Sequence, residues 1–334
     1  MDALLAVNDL SVHFNTPDGT VYAVNHISFD LLPGETLALV GESGCGKSVT
    51  TMSLLRLIPM VSGRIGSGTA IFDDGFVKKD LLKMSKEAIR QVRGGQIGFI
   101  FQDPLNSLNP VMTVGKQITE SLVEHLRLSQ EDARKQALKL LERVRISDAA
   151  DRLDCYPHQL SGGMRQRVMI AIAIACSPKI LIADEPTTAL DVTIQAQIID
   201  LVATLRKELS LSVIWITHDL GVVAGLADKV LVMYGGTGIE MAQVDELYEH
   251  PSHPYTRGLL GALPKPDMDQ SKRLVNIPGS PPDIYTAPYS CVYAPRCQYA
   301  FDRCRQELPA LVNLGNNHRA ACFIAEQLRS EYAA

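Results

Sequence analysis

Short apolar runs separated by helical stretches dominate the first 250 positions of the chain. The runs are ETLALV (35–40), QIGFIF (96–101), KILIADE (179–185), LSVIWITHD (211–219) and DKVLVMYGG (228–236). Continuous apolar runs of this length, bounded by turn residues, are typical of strands that are buried on both faces. Because helical stretches lie between them, the pattern predicts βαβ units and an α/β fold with a mostly parallel core sheet.

Other stretches of the same region have different periods. The segments 1–14, 21–32 and 68–74 have strand-like patterns, whereas the chain becomes helical from about Thr113 to Arg145, with charges spread through EHLRLSQEDARKQALKLLERVR. The second pattern predicts a small helical subdomain at approximately residues 103–177.

The composition of the sequence changes at Pro251. From there the chain is rich in proline, as in HPSHPYT and IPGSPPDIYTAP, and it carries four cysteines. We therefore expect a main unit over residues 1–250 and a Pro- and Cys-rich C-terminal extension over 251–334, with no further sheet in the extension.

Composition narrows the class of protein. The 334 residues are 46% hydrophobic, enough for one sizeable core and an accessory region, and 32 basic against 37 acidic side chains argue against nucleic acid as a partner. No apolar run approaches the roughly 18 residues of a membrane span, and the N-terminus lacks the basic flank of a secretory signal. The sequence thus predicts a cytosolic chain, in which the seven cysteines are free thiols or metal ligands.

The segment GESGCGKS follows the strand ETLALV and matches a phosphate-binding loop. Glycines let the backbone N–H groups face a triphosphate, while Lys47 can reach the β- and γ-phosphates and the Ser48 hydroxyl can ligate Mg²⁺. The candidate nucleotide-binding residues here are Gly41, Glu42, Ser43, Gly44, Cys45, Gly46, Lys47, Ser48 and Val49.

Two further motifs extend this chemistry. Asp184 and Glu185 end the strand ILIADE, where one acid can support Mg²⁺ and the other an attacking water, although such a pair taken alone is more often a solvated turn. A second glycine-rich helix start, LSGGMRQRV (160–168), offers another anion-binding end.

Together these motifs resemble the ATP-binding subunits of ABC transporters over almost the whole chain. The resemblance includes Gln102 in FQDP, the signature LSGGMRQR, ADEP, Asp191 in ALDV and His218 in ITHD. It implies an ABC-type P-loop nucleotide-binding domain with a mostly parallel core sheet, an antiparallel β subdomain and a helical subdomain, which hydrolyses ATP with Mg²⁺.

The resemblance also implies a role for each motif. Two such domains face each other head to tail, so that Ser161, Gly162 and Gly163 of one cover the ATP held by the other. Further implied roles are γ-phosphate and Mg²⁺ sensing for Gln102, water polarisation for Glu185, γ-phosphate contact for His218, communication between sites for Asp191, and adenine stacking for Phe14. An ordinary half-buried strand residue remains the alternative for Phe14.

The cysteines of the extension are Cys291, Cys297, Cys304 and Cys322, separated by five, six and seventeen residues. This spacing argues weakly against zinc, which prefers tighter pairs, and leaves an iron–sulfur cluster or free structural thiols open. The extension resembles that of the ATPase subunits of oligopeptide and dipeptide importers, which implies a [4Fe–4S] cluster on these four residues.

The same resemblance implies partners and a location. It predicts two transmembrane permease subunits, a second and non-identical ATP-binding subunit, and an extracytoplasmic solute-binding protein. One permease is expected to contact residues 103–118, for which a loop that caps the helical subdomain is the alternative. The chain would then act peripherally at the cytoplasmic face of the plasma (inner) membrane in peptide uptake. Nickel, glutathione or another small solute is the alternative cargo, and a soluble ABC ATPase is less favoured because the chain has one cassette and no sustained heptads.

Overall fold

The computed structural model describes residues 2–188, 190–263 and 277–332. Its strands are β1 (Leu5–Thr16), β2 (Gly19–Leu31), β3 (Thr36–Val40), β4 (Gly63–Asp73), β5 (Lys78–Asp80), β6 (Ile97–Ile100), β7 (Ile180–Asp184), β8 (Ser212–Thr217), β9 (Lys229–Tyr234), β10 (Thr237–Gln243), β11 (Val312–Asn313) and β12 (Arg319–Ala320). Its helices are α1 (Lys47–Leu54), α2 (Lys86–Val92), α3 (Pro104–Ser107), α4 (Val114–Leu126), α5 (Gln130–Arg143), α6 (Ala149–Arg152), α7 (Gly162–Ile174), α8 (Val192–Leu209), α9 (Leu220–Val223), α10 (Val244–Glu249), α11 (Pro254–Gly261), α12 (Asp302–Gln306) and α13 (Ala325–Tyr332). Within these ranges, no helix is both long and apolar enough to cross a bilayer.

The main sheet has the strand order β11-β12-β10-β9-β3-β8-β7-β6. The five strands from β9 to β6 run parallel, as their apolar runs predict, and β10, β12 and β11 are added antiparallel at one edge. The parallel strands β3, β7 and β8 therefore end at the same edge of the sheet. This confirms the predicted α/β class and brings the predicted motifs at those strand ends together.

A second sheet, with the order β2-β1-β4-β5, is antiparallel. Its long strands are interrupted by register shifts, and its apolar face shares a buried core with the main sheet. Members of that core include Leu5, Phe29 and Phe72 from the small sheet and Leu39 and Ile216 from the main sheet. This sheet is the predicted antiparallel β subdomain.

Helices α3 to α7 fall within the predicted helical region. Thr113 and Ser129 cap α4 and α5 by accepting hydrogen bonds from the backbone N–H three residues on, at 3.4 and 3.1 Å. The apolar faces of α4, α5 and α7 pack into a second core, which also contains side chains of β7 and β8. The helices are therefore fixed to the main sheet through shared side chains.

The prediction that the extension adds no sheet is wrong at two short strands. Ala320 and Arg319 of β12 pair with Glu240 and Met241 of β10, and β11 pairs with β12. Fully buried His318 lies 2.7 Å from the carboxylate of fully buried Glu240, which ties the extension to the main unit. Strands of two residues have no readable period, so the sequence pattern could not predict them.

Candidate active site

The loop 41–46 joins β3 to α1 and lies in close backbone contact with its neighbours. A Cβ at Gly41 would lie 2.2 Å from the carbonyl oxygen of Met233, and a Cβ at Gly46 would lie 2.3 Å from that of Ala23. Gly46 also has φ +97°, a left-handed conformation. Glycine is required at both positions, which is the physical reason for the motif.

The Lys47 side chain, only 4% exposed, lies over this loop. Its Nζ donates to the carbonyl oxygens of Gly41 at 2.7 Å and Glu42 at 3.0 Å. Ser43 and Gly44 form the exposed tip of the loop, and Val49 packs its side chain against the core behind it. The loop therefore presents backbone N–H groups and one buried positive charge on the same side of the helix start.

Ser48 and Asp184 are in direct contact, since the Ser48 hydroxyl donates to Asp184 Oδ1 at 2.8 Å. Burial raises the pKa of Asp184, the neighbouring Glu185 adds to the rise, and Ser48 and Lys47 lower the pKa. A hydroxyl beside a buried carboxylate at a phosphate loop is a donor set that suits Mg²⁺. The residues present therefore fit the metal that the motifs predict.

Glu185 is the centre of the polar contacts at this edge. Its Oε2 accepts from Gln102 Nε2 at 3.0 Å and from the Thr188 hydroxyl at 3.0 Å, and it lies 3.6 Å from His218 Nδ1. Its Oε1 lies 3.8 Å from Lys47 Nζ. Glu185 has φ +44°, a strained conformation for a non-glycine residue and one often found at functional sites.

Thr188 is a contact that the motif analysis missed. Its hydroxyl fixes one oxygen of Glu185 from three residues further along the chain. A hydroxyl residue three positions after a strand-end acid was the available signal, since Ser and Thr often bond nearby groups in turns.

The second glycine-rich helix start has different surroundings. Ser161, an exposed residue, caps α7 by accepting from Met164 N at 3.3 Å. A Cβ at Gly163 would lie 3.1 Å from the side chain of Ile194, and Asp191 caps α8 by accepting from Ile194 N at 3.0 Å. The start of α7 therefore packs beside the start of α8 and presents Ser161 and Gly162 to solvent.

Phe14 lies near the end of β1, opposite Val21 and Gly63. A Cβ at Gly63 would come within 2.9 Å of the Phe14 ring, and the half-buried ring packs on the core below. This placement leaves one part of the ring accessible, so adenine stacking stays a prediction.

Cys45 is buried in the phosphate loop, 3.8 Å from Lys47 Nζ. Burial raises the pKa of its thiol, although the nearby lysine acts in the opposite direction. A protonated, buried thiol reacts slowly, so the surroundings of Cys45 oppose its oxidation or alkylation.

The four cysteines of the extension line one small cavity, together with the buried side chains of His253 and Tyr293 and several apolar groups. All four are free thiols. In the part of the chain that the structure describes, however, no group of three or more His, Cys, Asp or Glu side chains is placed to hold a metal ion. The geometry thus brings the predicted ligands together without forming a metal-ligand set.

The thiols in this cavity influence one another. Burial raises the pKa of Cys291 and Cys297, and it raises that of Cys322 to about 12; at least one neighbouring thiol, Cys304, adds to each rise. These groups carry protons at neutral pH unless a cation displaces them.

The carboxyl edge of the main sheet thus holds a lysine over a glycine loop, a Ser–Asp pair and a restrained glutamate within contact distance of one another. Such an edge is built to bind a nucleoside triphosphate and hydrolyse its terminal phosphate, which places the chain among the P-loop NTPases.

Comparison with known families narrows this class. A family model described as "ABC transporter" matches residues 24–188, and one described as "Oligopeptide/dipeptide transporter, C-terminal region" matches residues 239–304. The dipeptide transport ATP-binding protein DppD of Bacillus subtilis is 47% identical over 100% of this chain and 98% of its own length. The oligopeptide transport ATP-binding protein OppD of the same organism is 49% identical over 94% of this chain and 87% of its own.

Solved structures give the same result. The ATP-binding cassette MJ0796, in a dimeric post-hydrolysis state bound to ADP and Pi, is similar with a TM-score of 0.62 and 26% identity, over 72% of this chain and 98% of that one. CbiO1 of Clostridium perfringens, part of an ABC transporter complex, has a TM-score of 0.62 and 31% identity, over 74% of this chain and 91% of that one. The chain belongs to the ATP-binding subunits of the ABC transporter family, and it is an ABC-type ATPase.

Proposed function

We propose that this chain is the ATP-hydrolysing subunit of a membrane importer for dipeptides or oligopeptides, acting at the cytoplasmic face of the plasma membrane. The observation that carries the proposal is the match of residues 239–304 to the C-terminal region of oligopeptide and dipeptide transporters. The extension packs on a cassette in which Ser48 contacts Asp184 and Gln102 contacts Glu185, as ATP hydrolysis requires. The peptide-import names of the full-length relatives support the same cargo.

The geometry supports specific roles in hydrolysis. Lys47 and the loop N–H groups bind the phosphates, and Ser48 and Asp184 would hold Mg²⁺, which would neutralise charge on the phosphates. Glu185 accepts a proton from the attacking water, while Gln102 and Thr188 orient its carboxylate and His218 contacts the γ-phosphate. These contacts keep the general base fixed beside the phosphate site.

The exposed start of α7 supports a head-to-tail pair of cassettes. Ser161, Gly162 and Gly163 offer hydroxyl and backbone donors at a helix N-terminus to the ATP of a second ATP-binding subunit. Asp191 caps the adjacent helix and would lie along the same interface. The second subunit in this proposal is a related, non-identical chain.

An apolar surface around Gln102 supports contact with the permeases. Phe101, Leu105 and Val111 are 38%, 64% and 79% exposed, around the short helix α3. Exposed apolar side chains grouped on a short segment favour a protein interface over solvent. Two permeases and an extracytoplasmic solute-binding protein complete the proposed complex.

Uptake by the assembled complex tests the cargo. We expect labelled di- or oligopeptides to enter vesicles in an ATP-dependent way and to stimulate hydrolysis. Uptake of nickel or glutathione without peptide uptake would replace the peptide with another solute, and full activity without permeases would favour a soluble ATPase instead.

For the extension, the proposed cofactor is a [4Fe–4S] cluster held by Cys291, Cys297, Cys304 and Cys322. The four thiols line one cavity, and a polynuclear cluster separates its cysteine ligands more widely than a single ion does. When bound, the cluster supplies a cross-link among distant segments and one-electron redox capacity.

Iron and acid-labile sulfide analysis of anaerobically purified protein tests this assignment. We expect both elements in the wild type and in Cys155→Ser, which changes a thiol outside the cavity, and their loss in Cys304→Ser. Stoichiometric zinc, or protein without metal, would contradict the cluster and favour zinc or free thiols.

A further inference from the structure

The C-terminal extension contacts one residue of the phosphate loop, Glu42, at both its backbone and its side chain. Its backbone N–H donates to the Tyr255 hydroxyl at 3.0 Å. Its carboxylate accepts two hydrogen bonds from the Arg296 guanidinium, at 2.8 and 3.2 Å. Two separate segments of the extension therefore converge on a single position in the nucleotide site.

The pair between Arg296 and Glu42 differs from an ordinary surface ion pair. The Arg296 side chain is only 6% exposed, and Glu42 is 26% exposed. A bidentate and largely buried ion pair of this kind holds its two side chains more strongly than an exposed pair, which adds little to the free energy of folding.

Arg296 is itself fixed by its surroundings. It donates to the carbonyl oxygen of Pro278 at 2.7 Å and to the Tyr234 hydroxyl at 3.1 Å. The rings of Tyr234, Tyr255 and Tyr293 pack together, with centroids 4.7 to 5.4 Å apart. These hydrogen bonds and the packed tyrosine rings hold the guanidinium in place beside Glu42.

A carboxylate in a phosphate loop is unfavourable for binding a triphosphate, because like charges repel at short range. The Arg296 guanidinium neutralises that carboxylate, and the Tyr255 hydroxyl fixes the backbone of the same residue. Both contacts hold the loop before nucleotide arrives, which lowers the conformational entropy lost on binding.

We propose that Arg296 and Tyr255 are positioning residues for ATP binding, through which the C-terminal extension holds the phosphate loop and neutralises Glu42. Neither residue acts on the reacting atoms. Arg296 directly precedes Cys297, so the fold around the cysteine cavity sets the position of the guanidinium and, through it, the affinity for nucleotide.

The test measures the Kd of a fluorescent ATP analogue with Mg²⁺ on the full-length chain, and KM and kcat for ATP. Arg296→Met is expected to raise Kd and KM about tenfold and to change kcat by less than about twofold, because the lost contacts act on loop geometry and charge. Arg296→Lys, which keeps the charge, is expected to recover part of the affinity.

Arg303→Met is the matched control. Arg303 also directly precedes a cysteine and also pairs with a glutamate, but its partner Glu307 is the residue that ends the same short helix, and both side chains are more than half exposed. We expect its Kd for the analogue to equal that of the wild type.

Removing the negative charge separates positioning from a general role in folding. Glu42→Gln in the Arg296→Met background is expected to bind the analogue more tightly than Arg296→Met alone, since the repulsive charge is gone. Tyr255→Phe is expected to raise Kd about threefold, through loss of one hydrogen bond. Independent effects of Arg296→Met and Glu42→Gln, or an unchanged Kd in folded Arg296→Met, would overturn the proposal.

Discussion

The two glycine-rich helix starts of this chain share a local design and differ in everything around it. At α1 the loop is buried at Cys45 and Gly46 behind its exposed tip, and Lys47, Asp184 and Glu185 lie within contact distance. At α7 the cap Ser161 and Gly162 are exposed; Ser161 accepts a hydrogen bond from Met164 N of its own helix, and Gly163 packs beside Ile194 of α8. A helix N-terminus favours an anion in both cases, but within the described residues only the first start has the side chains proposed for hydrolysis beside it.

The difference shows that anion binding by a helix end is generic and that the adjacent strand ends decide the chemistry. The start of α1 lies where three parallel strands end and present acids and a histidine. The start of α7 lies at the surface of the helical region, which makes it suited to a nucleotide held by another subunit. In the proposed head-to-tail pair of cassettes, one chain would supply two unlike halves to two different sites.

Removing the base at the first start has the largest expected effect. Glu185→Gln should lower ATP turnover by the assembled complex at least about 10²-fold, because an amide cannot accept the proton from water. ATP binding should remain, and the closed dimer should accumulate, as measured by size-exclusion chromatography. Unchanged turnover would assign the base to another residue.

Placing a charge at the second start should separate binding from turnover. Gly162→Asp is compatible with the described residues, since among them a Cβ at this position meets only Leu190, at 3.9 Å. The added carboxylate opposes the phosphate of the partner site, so turnover by the complex should fall by about 10²-fold, while the isolated chain should bind ATP as before.

Gln159→Glu is the control for Gly162→Asp. It adds the same charge to the exposed turn before the helix and keeps the acceptor for Tyr156 N. We expect a much smaller fall in turnover from it. Equal losses from the two variants would mean that general surface charge, and not a contact at the helix start, affects hydrolysis.

The smallest effect is expected inside the phosphate loop itself. Cys45→Ser replaces a buried thiol by a smaller hydroxyl and should leave kcat and the Kd for ATP within about twofold, with a loss of unfolding free energy of about 1 kcal/mol. Thermal denaturation and steady-state kinetics measure both. A loss as large as that of Glu185→Gln would give the thiol a catalytic role.

Most of the fold and the catalytic set could be predicted because their signals are local in sequence. A buried strand followed by GESGCGKS requires a strand, a loop and a helix, and strands that end in ADE and THD bring Asp184, Glu185 and His218 to one edge. The contacts of Thr188 and the grouping of the four cysteines around a cavity without a metal-ligand set needed coordinates.

The contacts of Tyr255 and Arg296 with Glu42 could not be predicted for a different reason. Tyr255 lies 213 positions away from Glu42 and Arg296 lies 254 positions away, and neither stands in a motif that indicates a phosphate site. Long-range pairs depend on how the extension docks, which in turn rests on the two-residue strand β12 and the buried His318–Glu240 contact.

The distance of 254 positions between Glu42 and Arg296 has a consequence during protein synthesis. At about 5 to 20 residues per second, the arginine leaves the ribosome roughly 13 to 50 s after the glutamate. During this interval the nascent chain exposes its phosphate loop with an unpaired carboxylate. The ion pair can close only after Arg296 has emerged, and under the role proposed for Arg296 tight nucleotide binding would wait for that step.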